Sequence, residues 1–133
     1  LAVTGSVNQL GEIQPIGGAN EKIEGFFESC SRKGLSGKQG VIIPARNTKH
    51  LALRREVVEA VESGHFTIYA VNTVEEAVEL LTGIAAGDRG LDGLYPLDTV
   101  FGRAAQRLEE MAQAVAEWGE DEEKPSGRII TEP

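Results

Sequence analysis

Gly11-Glu12-Ile13-Gln14-Pro15-Ile16-Gly17-Gly18-Ala19-Asn20-Glu21-Lys22-Ile23, residues 11–23, is the stretch on which the architecture turns. Glu12 to Ile16 reads as the second arm of a hairpin and Val7 to Gln9 as the first. Leu10-Gly11 sits between them, where Gly supplies a positive φ. Pro15 falls at the end of its arm, where a missing N–H is tolerated. Gly17-Gly18 then stops the strand. From Ala19 to Arg32 the period changes to that of a helix, with Ile23, Phe26, Phe27 and Cys30 on one stripe. Asn20 is the expected cap, and Lys33-Gly34 is a C-terminal signal.

Working outward, Leu1 to Thr4 is a short apolar strand. Gly37 to Gly40 is a loop, and Val41-Ile42-Ile43 is an apolar strand closed by Pro44. Asn47 is expected to cap a short helix over residues 48–53. A helix over residues 55–62 carries Val57, Val58 and Val61 on one side, and Ser63-Gly64 ends it. Phe66 to Val71 is β-rich. Thr73 with Glu76 forms a capping box for a helix that Gly83 terminates. A β-hairpin followed by alternating helices and strands predicts an α/β (α+β) fold over residues 1–83. Residues 84–97 read as a Gly-rich linker. Residues 98–118 read as an extra C-terminal helix, docked through Phe101, Ala104, Ala105, Leu108, Met111, Ala112 and Val115. Residues 119–133 are expected to be an acidic, disordered tail.

The bulk numbers narrow the classes. At 133 residues, 41% hydrophobic and 26% charged, this is an ordinary globular chain. Aromatics make up 5%, so aliphatic side chains must fill the core. A net charge of −8 argues against nucleic acid, which is bound by clustered Lys and Arg. The single cysteine, Cys30, excludes an intrachain disulfide and fits a reducing, cytoplasmic setting. It reads as a small helix residue rather than a nucleophile. His50 and His65 have no second ligand at metal spacing. No apolar run has the length of a membrane span. Leu1-Ala2-Val3-Thr4 reads as a strand entered midway, so a fragment of a longer protein is expected.

Lys22 follows the glycine corner by about one helical turn. A helix N-terminus disfavours positive charge, and partial burial acts in the same direction, so a lysine there can serve as a general base. On spacing alone the commoner reading is a solvated surface lysine. Thr4, taken alone, is a plain strand residue.

Thr4-Gly5-Ser6-Val7, then Gly11-Glu12-Ile13-Gln14-Pro15-Ile16-Gly17-Gly18, then Glu21-Lys22, resembles the signature of the Lon-type ATP-dependent serine protease domain. Val41-Ile42-Ile43-Pro44 with Asn47 three residues on, the strand at Phe66–Val71 and the helix at residues 73–81 continue the likeness over about residues 1–83. The resemblance implies a Lon protease-like fold and a Ser-Lys dyad. In that dyad Lys22 is the general base and Thr4 orients its amine. The family's serine lies in a small-residue segment tens of residues earlier. Ser6, Ser29, Ser31, Ser36, Ser63 and Ser126 stand in no such segment, so the nucleophile is expected outside this chain. The family also implies an ATPase module elsewhere, using ATP and Mg, with no cofactor in this chain. It implies ring-shaped homo-oligomers (hexamers), unfolded or damaged protein substrates, and peptides bound as an added strand. The alternative is a non-proteolytic domain of the same shape that serves ATPase assembly. Pro15-Ile16-Gly17-Gly18 with Lys22 favours the protease.

Overall fold

Three consecutive aliphatic residues, Val41, Ile42 and Ile43, are all buried, which requires cover on both faces of their strand. The structure, a computed structural model, describes residues 1–122 and supplies that cover. The chain forms two compact units, one over Leu1–Ala85 and the other from Ala86 onward.

In the first unit, β4 (Gly40–Pro44) is the middle strand of a three-stranded parallel sheet, between β1 (Ala2–Val3) and β5 (Thr67–Val71). Ala2 pairs with Val41, and Gly40 pairs with Thr67. The crossover from β1 to β4 runs through α1 (Ala19–Ser31), and that from β4 to β5 through α2 (Arg55–Glu62). Both crossovers step the same way across the sheet. With right-handed connections, both helices must then lie on one face. The packing agrees: Ile23 and Phe27 of α1, Val57 and Ala60 of α2, Phe66, and Val41 and Ile43 of β4 form one core cluster. Ile42 points the opposite way, by strand alternation. It packs with Val71, Ala77 of α3 (Val74–Thr82) and the half-buried Ile13. The predicted stripe of α2 shifts: Val57 and Ala60 are buried, whereas Val58 and Val61 are exposed. Residues 57 and 60 sit three apart on one face, and 58 and 61 lie about 100° further round.

Gly40 marks a close approach. A Cβ there would lie 2.5 Å from the Thr67 carbonyl oxygen. At the other end of β4, Pro44 limits the ladder. The Thr4 N–H donates to the Ile42 oxygen at 3.0 Å. The next rung of a parallel ladder would run from the N–H of residue 44 to the Thr4 carbonyl, and proline has no such hydrogen. The chain leaves the sheet there, with Gly5 against the Pro44 ring.

It enters the antiparallel pair β2 (Ser6–Val7) and β3 (Ile13–Gln14). The Asn8 Oδ1 accepts the Leu10 and Glu12 N–H groups, each at 2.9 Å, and Gly11 takes φ 80°. The Ile13 N–H donates to the Asn72 oxygen at 3.2 Å, tying the hairpin to the end of β5. The predicted capping residues of α3 are in place: Thr73 Oγ1 accepts the Glu76 N–H at 3.4 Å, and Gly83 takes φ 69°. The Glu76 carboxylate reaches back one residue beyond the cap, accepting the Asn72 N–H at 2.6 Å.

Two predicted caps differ. The cap of α1 is Gly18 in the left-handed region (φ 69°), with Asn20 inside the helix. Asn47 lies within a 3-10 turn, Ala45–His50, with no helix over residues 51–53. In both cases the amide side chain is spent on a tertiary contact described below.

In the second unit, α4 runs Val100–Glu122. Thr99 Oγ1 accepts the Gly102 N–H at 3.1 Å and donates to the Pro96 carbonyl at 2.6 Å. The segment read as a linker has its own contacts. Arg89 stacks over Tyr95 at 5.3 Å, and Tyr95 meets Phe101 edge-on at 5.5 Å. Leu108, Met111 and Val115, expected on a docked face, are exposed. The acidic tail expected over 119–133 lies outside the described residues from 123 on; residues 119–122 continue α4.

Candidate functional site

Thr4 and Lys22 both stand near the carboxyl end of the sheet, and among the described residues no hydrogen bond joins their side chains. Thr4 follows the carboxyl end of β1, and α1, as the crossover helix, starts at that same end. In open α/β sheets, ligands bind outside the carboxyl ends of the strands. Ala2 packs on the cluster that contains α1, so alternation along the strand puts Thr4 on that face also. Thr4 is half-buried.

Lys22 occupies the first turn of α1, its N–H donating to the Gly18 carbonyl at 3.1 Å. Gly18 is left-handed, a conformation that L side chains rarely adopt, and this lets the strand turn sharply into the helix. The solvated position that spacing alone gives Lys22 is the one found, without the partial burial that would favour a neutral amine: its side chain is exposed, and among the described residues its amine has no hydrogen-bond or ion-pair partner. The neighbouring Ile23 takes the buried position of this turn, which leaves Lys22 pointing away from the core.

The polar residues flanking Lys22 are engaged. The Ile16 N–H donates to Asn47 Oδ1 at 3.1 Å, and Asn47 Nδ2 donates to the Ile16 carbonyl at 2.9 Å. The Ala52 N–H donates to Asn20 Oδ1 at 3.0 Å, and Asn20 Nδ2 donates to the His50 carbonyl at 3.4 Å. Glu24 accepts from the Arg54 N–H at 2.8 Å and pairs with the Arg54 guanidinium at 3.2 Å. The segment 47–54 is thus a strut along the glycine corner and the first turns of α1. Sequence reasoning placed Asn47 in the motif but gave it a local capping job. Its partner lies 31 residues away, and no local pattern carries that signal.

Other candidates recede. Among the described residues no group of three or more His, Cys, Asp or Glu side chains is placed to hold a metal ion. His65 Nδ1 is 2.9 Å from Ser63 Oγ, and His50 is exposed. Cys30 is half-buried. A cleft of about 260 Å³ opens between β3, Ala45-Arg46 and Val71-Asn72-Thr73. A larger apolar hollow of about 620 Å³ lies in the second unit, and its carboxylates Glu109 and Glu110 accept from Gln113 and Arg107 on the same helix. Neither contains Lys22 or Thr4. No described helix is long and apolar enough to cross a membrane.

No protein-family profile matches the chain. It is 47% identical over 118 residues, 89% of its length, to a Lon protease homologue of Escherichia coli (strain K12). It is 41% identical over 114 residues, 86% of its length, to a Lon protease homologue of Haemophilus influenzae. An archaeal Lon protease of Thermococcus kodakarensis is 38% identical over 80 residues, 60% of the chain. The chain spans only 20%, 19% and 11% of these relatives, respectively. Likeness of this degree over most of the chain, on an α/β sheet carrying the glycine corner, shows that the chain belongs to the Lon-type protease family, as a segment of such a protein.

Proposed function

We propose that this segment supplies the general base of a serine endopeptidase. In this reading the neutral Lys22 amine takes the proton of a serine hydroxyl carried by chain outside this segment. The freed oxygen attacks a peptide carbonyl, the lysine returns its proton to the departing amine, and water then releases the acyl group. Thr4 offers its hydroxyl oxygen as an acceptor that aims the ammonium. The observation that carries the reading is the corner itself. Gly18, left-handed at the start of α1, leads into a first turn in which Lys22 is exposed, and Thr4 follows the carboxyl end of β1. An exposed lysine with no partner suits a group that completes its site with another part of the protein.

The rest of the proposal concerns the whole protein. ATP-driven unfolding of damaged or unfolded substrates, by a module beyond this segment, would feed a ring of identical subunits in the cytoplasm.

The test is Lys22→Ala in the complete protein, assayed on an unstructured peptide, with circular dichroism as the check on folding. Cleavage should fall by roughly 10²–10⁴-fold, the range expected for loss of a general base, with the fold unchanged. Normal turnover in a folded Lys22→Ala protein would remove the catalytic assignment and favour the assembly-domain reading.

A further inference from the structure

The general-base reading leaves open how an exposed lysine on a glycine hinge is held still. Gly17 and Gly18 are the two most permissive residues of the corner, and nothing lies within 4 Å of a Cβ built on Gly17. Packing therefore does not set the path of the chain there. Ile16, immediately before the glycines, has both its backbone N–H and its carbonyl bound by one buried amide, Asn47. Asn47 is 7% exposed, and its side chain both donates to and accepts from this one residue. On the far side of the glycines, Asn20 and Glu24 bind backbone N–H groups of the same 47–54 segment.

We propose that Asn47 is a positioning residue for the Lys22 amine, acting through the backbone of Ile16 to fix the Gly17-Gly18 corner. It touches neither substrate nor the reacting atoms. An amide suits the task because its carbonyl accepts and its NH2 donates in one plane, matching the N–H and C=O of a single residue, Ile16. Aspartate keeps the acceptor for the Ile16 N–H but sets a second oxygen against the Ile16 carbonyl. Alanine keeps neither bond. With the bonds lost, the two glycines are free to rotate, and the lysine loses its fixed place relative to the incoming hydroxyl. Misplacement of a reacting group by about 1 Å costs on the order of a hundredfold in rate.

This inference rests on Lys22 being the base, so the experiment separates the two. In the complete protein, wild type, Lys22→Ala, Asn47→Asp, Asn47→Ala and Asn20→Ala are compared for kcat and KM on an unstructured peptide, each corrected for the folded fraction. In parallel, the lysines are ¹³C-methylated reductively, and the Lys22 signal, assigned by Lys22→Arg, is compared by NMR at one pH. Asn47→Ala should lower kcat by about a hundredfold and Asn47→Asp by less, with KM within twofold. The Lys22 signal should move in both. Asn20→Ala, which leaves the Ile16 clamp intact, should leave kcat and the Lys22 signal close to wild type, and Asn47→Asp stands in if Asn47→Ala does not fold. Activity retained in Lys22→Ala would sink the base assignment and leave the NMR comparison to judge the clamp. An unchanged Lys22 signal with wild-type kcat in folded Asn47 variants would overturn the positioning role. A fall in activity that only follows the folded fraction would overturn it equally.

Discussion

Thr4 has a backbone job and a proposed side-chain job, and a substitution can separate them. Its N–H holds the last rung to Ile42 at 3.0 Å, which any residue but proline can provide. Its hydroxyl is the proposed acceptor for the lysine. Thr4→Val keeps the shape and removes the hydroxyl. Peptide turnover by the complete protein should fall about tenfold or more, while the urea midpoint moves little, since a half-buried Thr-to-Val change forfeits about one hydrogen bond. A loss of stability with turnover per folded molecule unchanged would make Thr4 purely structural. Gly40→Ala should do the reverse. Its new Cβ, 2.5 Å from the Thr67 oxygen, must push β4 and β5 apart. A loss of roughly 1–3 kcal/mol in denaturant unfolding is expected from overpacking. At this scale the sequence was legible where chemistry is local. The glycine corner and its lysine stand within a few residues of each other and read together. Asn47 was misassigned because a buried amide and a capping amide look alike until the distant backbone it binds is known. The exposure of Lys22 was the commoner reading of a first-turn lysine.

The elements differ in how much of their existence is local. The helix α3 begins at a Thr-x-x-Glu box and ends at a left-handed glycine, and both ends stand where the pattern put them. By contrast α1 and the 3-10 turn have no side-chain cap, so asparagines near their starts misled a capping argument. Strand β4 was legible as an apolar run, but not its place in the middle of the sheet, because periodicity cannot tell which neighbours cover a strand. That place has a measurable result. Ile42 and Ile43 are fully buried yet face opposite layers, one towards α3 and the hairpin, the other towards α1 and α2. Ile42→Ala and Ile43→Ala should each cost about 2–5 kcal/mol in urea unfolding, as buried Ile-to-Ala changes do. A strand covered on one side only would lose stability at just one of the two positions.

For the molecule as a whole, both core clusters consist of residues within Leu1–Ala85. A chain ending at Ala85 should therefore fold without the rest and give the dispersed amide spectrum of an ordered domain by NMR. A collapsed spectrum would show that the second unit is required. The α/β class and the order of elements were readable from pattern. The extent of α4 and the contacts of Arg89, Tyr95 and Phe101 were not, since glycine spacing hides an ordered loop as readily as a slack one. The imino acid at position 44 has one last consequence. By withholding a single hydrogen, it leaves the central seam zipped on the β5 flank and open on the β1 flank from Thr4 onward. The sheet thus frays at a fixed point on one margin only, and that margin is where the hydroxyl of Thr4 comes free of the weave.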